Sequence, residues 1–290
     1  MDQALQHLVN GTVLGGTYAL LGIGLTLVFG VMRVVNFTHG EFYAFGAYIT
    51  YGLIVLGGVN YFLALPLATL AGVALGALLE VALLRPMRKA DIDSVMLVMI
   101  GAMLAMQNLE MFAWGGVAKL TPNPFDGSPL VFGPVSVLPL RLFVLVVSVL
   151  MLLGFWLALE RSRAGMAMRA TFQDPETAAL MGVRVGWVNT ATFALGSGLA
   201  AASGALLGPV FMTSPTMGDL VGLKAFAIVI LGGLGSLPGA TLGGFALGFV
   251  EEFAGGYLST EYRDTFGFLL IIAVLVLRPQ GLVPARERIG

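Results

Sequence analysis

Apolar residues follow one another along this chain in long blocks parted by short polar breaks. A helix needs about 20 mainly apolar residues to cross the roughly 30 Å hydrocarbon core of a bilayer. Blocks that long fall near 9–31, 39–58, 61–84, 94–116, 139–159, 188–212, 219–236, 240–257 and 264–278. The stretch GLGSLPGA at 233–240 parts the seventh and eighth so narrowly that they read as two spans or as one broken, re-entrant segment, giving eight or nine spans. A transmembrane β-barrel is excluded, because its strands alternate in polarity over about ten residues.

Composition agrees with a membrane solvent. Of 290 residues, 58% are hydrophobic before 40 glycines are counted, and 11% are charged, where a soluble domain carries roughly 25%. Mean hydropathy is +0.92. A soluble enzyme, a disulfide scaffold (there is no cysteine) and a disordered chain are excluded. A net charge of −1 offers no basic surface for nucleic acid.

The basic residues orient the spans. Arg33, Arg85, Arg88, Lys89, Arg161, Arg163, Arg169, Arg184, Arg278, Arg286 and Arg288 fall on one side of a nine-span arrangement; Lys119, Arg141 and Arg263 fall on the other, with Lys224 just inside a span start. The rich side is cytoplasmic. The N-terminus is then outside, the C-terminus inside, and the odd count favours nine. The opening MDQALQHLVN lacks the basic stretch of a secretory leader, so the first span is expected to be retained; the alternative is a neutral leader that is removed. The fold class is an all-α polytopic bundle, with residues 1–290 forming a single transmembrane domain.

Two connections are long. The external one, 117–138, carries four prolines and a candidate strand pair in LVFGPVSVL. The internal one, 160–187, reads as two short helices. A first turn over 164–172 places Arg169 about one turn ahead of Gln173. In the second, Asp174 is an N-cap, Pro175 fits the first helical position and Glu176 suits the positive end of the dipole, while Gly182 stops the helix after Met181. Ala178, Ala179, Leu180 and Met181 would be exposed unless covered. Either the loop lies at lipid headgroups with its arginines on phosphates, or it plugs into a groove on a soluble partner.

The string RAGMAMRATFQDPETAALMGVRV at 163–185 closely resembles the coupling loop of branched-chain amino acid ABC importer permeases (Liv-type). The stretches NFTHGEFYAFGAY at 36–48, GLKAFAIVILGGLGSLPGA at 222–240 and LRPQGL at 277–282 resemble the same family, so the resemblance samples the whole chain. It implies the first of two related permeases in an importer of a bacterial-type inner membrane. Its partners would be a second permease, two cytoplasmic ATPases and an extracytoplasmic binding protein. Arg169, Asp174, Ala178, Ala179, Met181 and Gly182 would then form the ATPase-coupling element. The chain lacks GxxxxGK[ST], so it binds no nucleotide cofactor itself and ATP is used by the partners.

Ionisable groups inside spans are candidates for function, although those at span ends snorkel to water. Glu80 and Lys224 read as end residues, and Glu251 and Glu252 as solvated at the outer end of the eighth span. Gln107, Asn108 and Glu110 form a polar patch well inside the fourth, with Gln107 and Glu110 on one helix face. That patch is either interhelical glue or part of a translocation path. The segment containing Asn36, His39 and Glu41 is a plain turn or a broken span, and the counterpart in the second half holds Gly233 and Gly235. No metal-ligand cluster or nucleophile–base constellation is evident, and two histidines without cysteine make a metal site improbable.

Three classes of function compete. An importer permease for branched-chain amino acids leads, with urea, short amides or aromatic acids as alternative cargo. An ion-coupled secondary transporter would need charges deep in the spans, and a membrane scaffold leaves the capped internal helix without purpose. The orientation is testable, since there is no native cysteine. A cysteine at position 2 should react with an impermeant thiol reagent from outside only, and one at position 288 from inside only. Labelling of both from the cytoplasm overturns the arrangement.

Overall fold

The computed structural model describes residues 2–125, 128–133 and 135–283. Arg286 and Arg288, used above to orient the chain, and position 134 of the external loop lie outside them. Each of the nine apolar blocks becomes a helix: α1 Asp2–Met32, α2 His39–Tyr51, α3 Tyr61–Leu79, α4 Ile92–Trp114, α5 Pro139–Arg161, α8 Val185–Leu207, α9 Met217–Gly232, α10 Leu237–Tyr257 and α11 Arg263–Leu277. Between α5 and α8 lie α6, Arg163–Gln173, and α7, Pro175–Leu180. Short π-helical turns, Gly52–Leu56 and Glu80–Leu84, extend α2 and α3. Five helices are long and apolar enough to cross a bilayer alone: α1, α3 with its π turn, α4, α5 and α8. α9 and α10 qualify as a pair bent by 120°. The expected strand pair is present, β1 Leu130–Phe132 antiparallel to β2 Val135–Val137.

Polar side chains set where the helices begin. Asn60 accepts from the Phe62 amide at the start of α3, and Ser236 from the Gly239 amide at the start of α10. Asp91 accepts from the Ser94 hydroxyl and amide at the start of α4, and those bonds hold its carboxyl below the usual carboxylate range.

Packing is concentric: α1 and α8 are largely buried, whereas α3, α4 and α5 present most of their surface outward. Lipid tails give no hydrophobic drive for helices to associate, so close packing must hold them. Glycines permit it. A Cβ on either Gly24 or Gly196 would sit 2.7 Å from the other's carbonyl oxygen, so α1 and α8 meet backbone to backbone. Gly15 lies against Phe245 and Gly248 of α10, and Gly22 faces Ala240, so α10 runs antiparallel to α1. α8 is also antiparallel to α1, since the Ser203 hydroxyl donates to the Thr17 carbonyl while Gly196 faces Gly24. α3 returns beside α8, with Gly72 on Ala201 and Gly76 on Ser197.

α2 departs from a plain antiparallel hairpin. At Arg33 the backbone turns with φ of 55°, a left-handed conformation uncommon outside glycine. Residues 34–36 then run without helix back along α1, and a short turn leads into α2. His39 Nε2 reaches the Leu21 carbonyl at 2.9 Å, about 16 Å up the helix from Met32 at roughly 1.5 Å per residue. The polar break at 36–41 is therefore a broken span with an internal helix start.

The glycine contacts predict opposite outcomes at two positions. Gly196→Val forces a side chain into the α1 backbone and should destabilise the purified protein by about 1–3 kcal/mol or more. Gly101→Ala, which meets nothing within 4 Å, should leave it unchanged or slightly more stable. Thermal unfolding in detergent measures both, and equal melting temperatures would remove the contact as the organising seam.

Candidate functional site

Four arrangements gather the chain's unusual polar groups. The first surrounds the internal start of α2. The Asn36 Oδ1 accepts from the Thr38 hydroxyl at 2.6 Å and the Thr38 amide at 3.1 Å, closing the turn that launches the helix. His39 Nε2 faces a carbonyl and so donates, while its Nδ1 has no partner among the described residues. Glu41, two residues on, is 1% exposed, and Gly218 of α9 lies directly against its carboxylate where any side chain would collide. From α4, Glu110 is 2% exposed, one turn before Trp114, whose ring stacks on Tyr48 of α2. Gln107 donates to Asp219 at 3.0 Å across the more exposed rim. The structure thus sets Glu41 against α9 and joins Gln107 of α4 to the neighbouring residue of α9, whereas His39 reaches α1 and Asn36 bonds within its own turn. Asn108 points away, onto the Leu104 carbonyl.

The second arrangement corrects the reading of three charges. Lys224 is no span-end residue: it lies in the middle of α9, buried, with Nζ 2.9 Å from Glu251, 2.7 Å from Asp264 and 3.0 Å from the Tyr18 hydroxyl. Glu251 is not solvated but 1% exposed, accepting also from Tyr18 at 2.7 Å. Glu252 is only slightly exposed and accepts from Asn10 at 2.9 Å. Arg263 at the start of α11 lies 3.6 Å from Glu251. Four helices share this network, because a buried charge survives only when paired and hydrogen-bonded. Glu80 is fully buried as well, bonded to Arg88 at 2.9 Å and Thr190 at 2.5 Å near the basic end of α3.

The third is the internal α6–α7 element. The Ser162 hydroxyl caps α6, and Asp174 Oδ1 caps α7 by accepting from the Glu176 and Thr177 amides. Gly182 takes φ of 86° as the stop. The element is fastened to the bundle: Met168 packs with Leu27, Val31, Leu159 and Val188, the ends of α1, α5 and α8. Arg169 donates to the Leu159 carbonyl and lies 3.7 Å from Glu160. Ala178 does not face outward as expected. It is 5% exposed, because the turn back through Gly182 folds α7 onto its own chain and returns the Val183 amide to the Ala178 carbonyl. Ala179 is exposed, and the outward apolar side chains are Met181 at 81% and Leu180 at 87%. Leu180, expected with Met181 to be exposed but not counted among the coupling residues, is the more outward of the two.

The fourth is the α9–α10 turn. Gly233 and Gly235 take φ of 108° and 80°, which side chains strongly resist. Beneath them the segment after α11 docks: the Leu282 and Val283 amides donate to the Leu231 and Gly232 carbonyls at 2.8 and 3.0 Å. Two of the four carbonyls that every helix end leaves open are thereby satisfied.

Long apolar helices around a glycine-packed centre, with charged groups held inside, define a multi-pass α-helical membrane protein of the transport-permease class. Residues 7–275 match the profile of the branched-chain amino acid transport system/permease component family, and the chain belongs to it. It is 36% identical to the high-affinity branched-chain amino acid transport system permease protein BraD of Pseudomonas aeruginosa, over 98% of this chain and 96% of that one. Identity to the corresponding LivH protein of Escherichia coli is 34%, with the same coverage. The LivM permease protein of Salmonella typhimurium is 26% identical over 92% of this chain and 68% of its own. No solved structure matches significantly.

The Lys224–Glu251 pair yields a stability prediction. Lys224→Met leaves Glu251 short of its nearest cation and should destabilise by about 3–5 kcal/mol, and Glu251→Gln should do likewise. The double substitution should recover much of the loss. A double-mutant cycle of thermal unfolding in detergent checks this, and strict additivity would mean the two groups do not act as a pair.

Proposed function

We propose that this chain is the membrane permease of an ATP-driven importer for branched-chain amino acids, paired with a second related permease. Two cytoplasmic ATPases would supply the energy and an extracytoplasmic binding protein the cargo, in a bacterial-type inner membrane. The near full-length likeness to BraD and LivH supports the substrate class, and the weaker likeness to LivM is consistent with a paired permease. Nine spans with the N-terminus outside and the C-terminus inside fit the helix directions. α1 and α3 run one way and α8 and α10 the other, as that parity requires, and α9 runs parallel to α1, with Lys224 beside Tyr18 and Ile228 beside Gly22. The whole described chain then works as a single permease domain.

The observation that carries this reading is the fastening of α6–α7. A helix of six residues is too short to be stable alone, yet α7 is capped at its start, stopped by a left-handed glycine and braced through α6 on the ends of α1, α5 and α8. Its free end presents Leu180 and Met181 to the cytoplasm. Large apolar side chains so exposed on a rigid mount mark an interaction site. A partner ATPase gripping them would move three spanning helices together. On this reading Asn36, His39, Glu41, Gln107, Glu110, Gly233 and Gly235 lie along or beside the path, and Arg169, Asp174, Ala179, Met181 and Gly182 serve coupling, with Ala178 as an internal brace.

The test is ATP-dependent uptake of labelled leucine into proteoliposomes holding the permease pair, the ATPases and the binding protein. Leu180→Asp should lower both co-purification of the ATPases and uptake by roughly tenfold or more, since an interface centre tolerates an unpaired charge poorly. Asp174→Ala should do less, weakening the helix by about 0.5–2 kcal/mol. Wild-type values in Leu180→Asp would remove α7 as the coupling element.

A further inference from the structure

The carboxylates of Glu41 and Glu110 are an anomaly within this bundle. Every other deeply buried acid has cationic partners: Glu80 has Arg85 and Arg88, and Glu251 has Lys224 and Arg263. Among the described residues Glu41 and Glu110 have none, and all four of their oxygens lack a hydrogen-bond partner there. Two ionised carboxylates so buried are very unfavourable in low dielectric unless a cation joins them or a proton neutralises them. The Tyr48 hydroxyl of α2 is fully buried and likewise unpartnered among the described residues. Its ring is held in place by stacking on Trp114, 5.2 Å between centroids.

We propose that Glu41, Glu110 and the Tyr48 hydroxyl form the subsite that receives the α-ammonium group of the amino acid in transit. The assignment rests on the importer reading above and adds to it the atoms that recognise the cargo inside the membrane. A primary ammonium carries three N–H donors and one positive charge. Two carboxylates and one hydroxyl supply three acceptors from two helices, and charge-assisted bonds to carboxylate are the strong kind. Glu41 sits in the first turn of α2, so the helix dipole steadies its negative charge while the site is empty. A bare metal ion suits the site less well, since no three acidic or histidine side chains among the described residues are placed to ligate one. The Gln107–Asp219 hydrogen bond lies at the exposed rim of this site. A cargo without an amine, such as a carboxylic acid alone, would gain nothing from this arrangement.

The experiment uses the assembled complex in proteoliposomes with labelled leucine as probe. Glu41→Gln and Glu110→Gln keep shape and acceptor oxygen but remove the charge. Each should lower leucine uptake by roughly tenfold or more, the loss of one charge-assisted bond, while the subunits still co-purify and the loaded binding protein still stimulates ATP hydrolysis. Glu110→Lys, which places an ammonium in the site permanently, should abolish uptake with assembly intact. Uptake at wild-type rates in both glutamine variants would overturn the proposal and leave the pair as a proton-sharing packing element. Loss of assembly in both would also overturn it, as glue. Failure of the wild-type complex to carry leucine, isoleucine or valine would instead overturn the importer reading, and the ammonium assignment with it.

Discussion

Where α1 crosses α8 and α10, no side chain separates the helices: Gly24 faces Gly196, and Gly15 faces Gly248. Much of the molecule depends on that contact. In a bilayer, apolar side chains gain nothing by leaving lipid for protein, so attraction must come from close van der Waals packing and from polar bonds that lipid cannot offer. Backbones in contact bring buried hydroxyls such as Ser203 onto the carbonyls of neighbouring helices. They also leave the centre narrow enough for Tyr18, Lys224 and Glu251 to meet across three helices. The outer helices α3, α4 and α5 can then remain greasy on most of their surface, because the centre has already fixed their positions.

The same solvent explains the contrast between two groups of buried charge. The Lys224 network balances itself with protein partners and so acts as a fixed strut between α1, α9, α10 and α11. Around Glu41 the balance is left open, in a place where a helix begins inside the membrane instead of at its surface. Breaking a span exposes polar backbone at depth, and such irregular structure is tolerated where protein encloses it or a cavity needs it. One bundle therefore holds a balanced strut and, around Glu41, buried acids without a protein cation among the described residues.

The apolar helices were legible in the sequence because long apolar runs stand out from polar breaks, although among the described residues only five are long and apolar enough to span alone. The caps at Asp174 and Gly182 were legible because they are local, within one helical turn of what they stabilise. Pairings across the bundle were not. Lys224 and Glu251 lie 27 residues apart on antiparallel helices, and nothing in either local sequence distinguishes a paired charge from a snorkelling one. The inward turn of Ala178 was missed because what buries it is the return of the chain through Gly182 and Val183, beyond the helix itself. NFTHGE read equally well as a surface turn, since polar residues suit water and a membrane interior that encloses a site.

The docking of residues 282 and 283 beneath the α9–α10 turn has a consequence for how the protein is made. The carbonyls of Leu231 and Gly232 close the last turn of α9, yet the amides that satisfy them belong to residues synthesised some fifty positions later, after α11. During elongation the hairpin must wait with those carbonyls open, held by Ser236 and its own glycines. Chains emerge from the ribosome at about 5–20 residues per second, so the wait lasts on the order of seconds. The second half of the bundle is therefore locked by its final strap, and a polypeptide halted before residue 282 carries an unlatched hairpin for quality-control proteases to find.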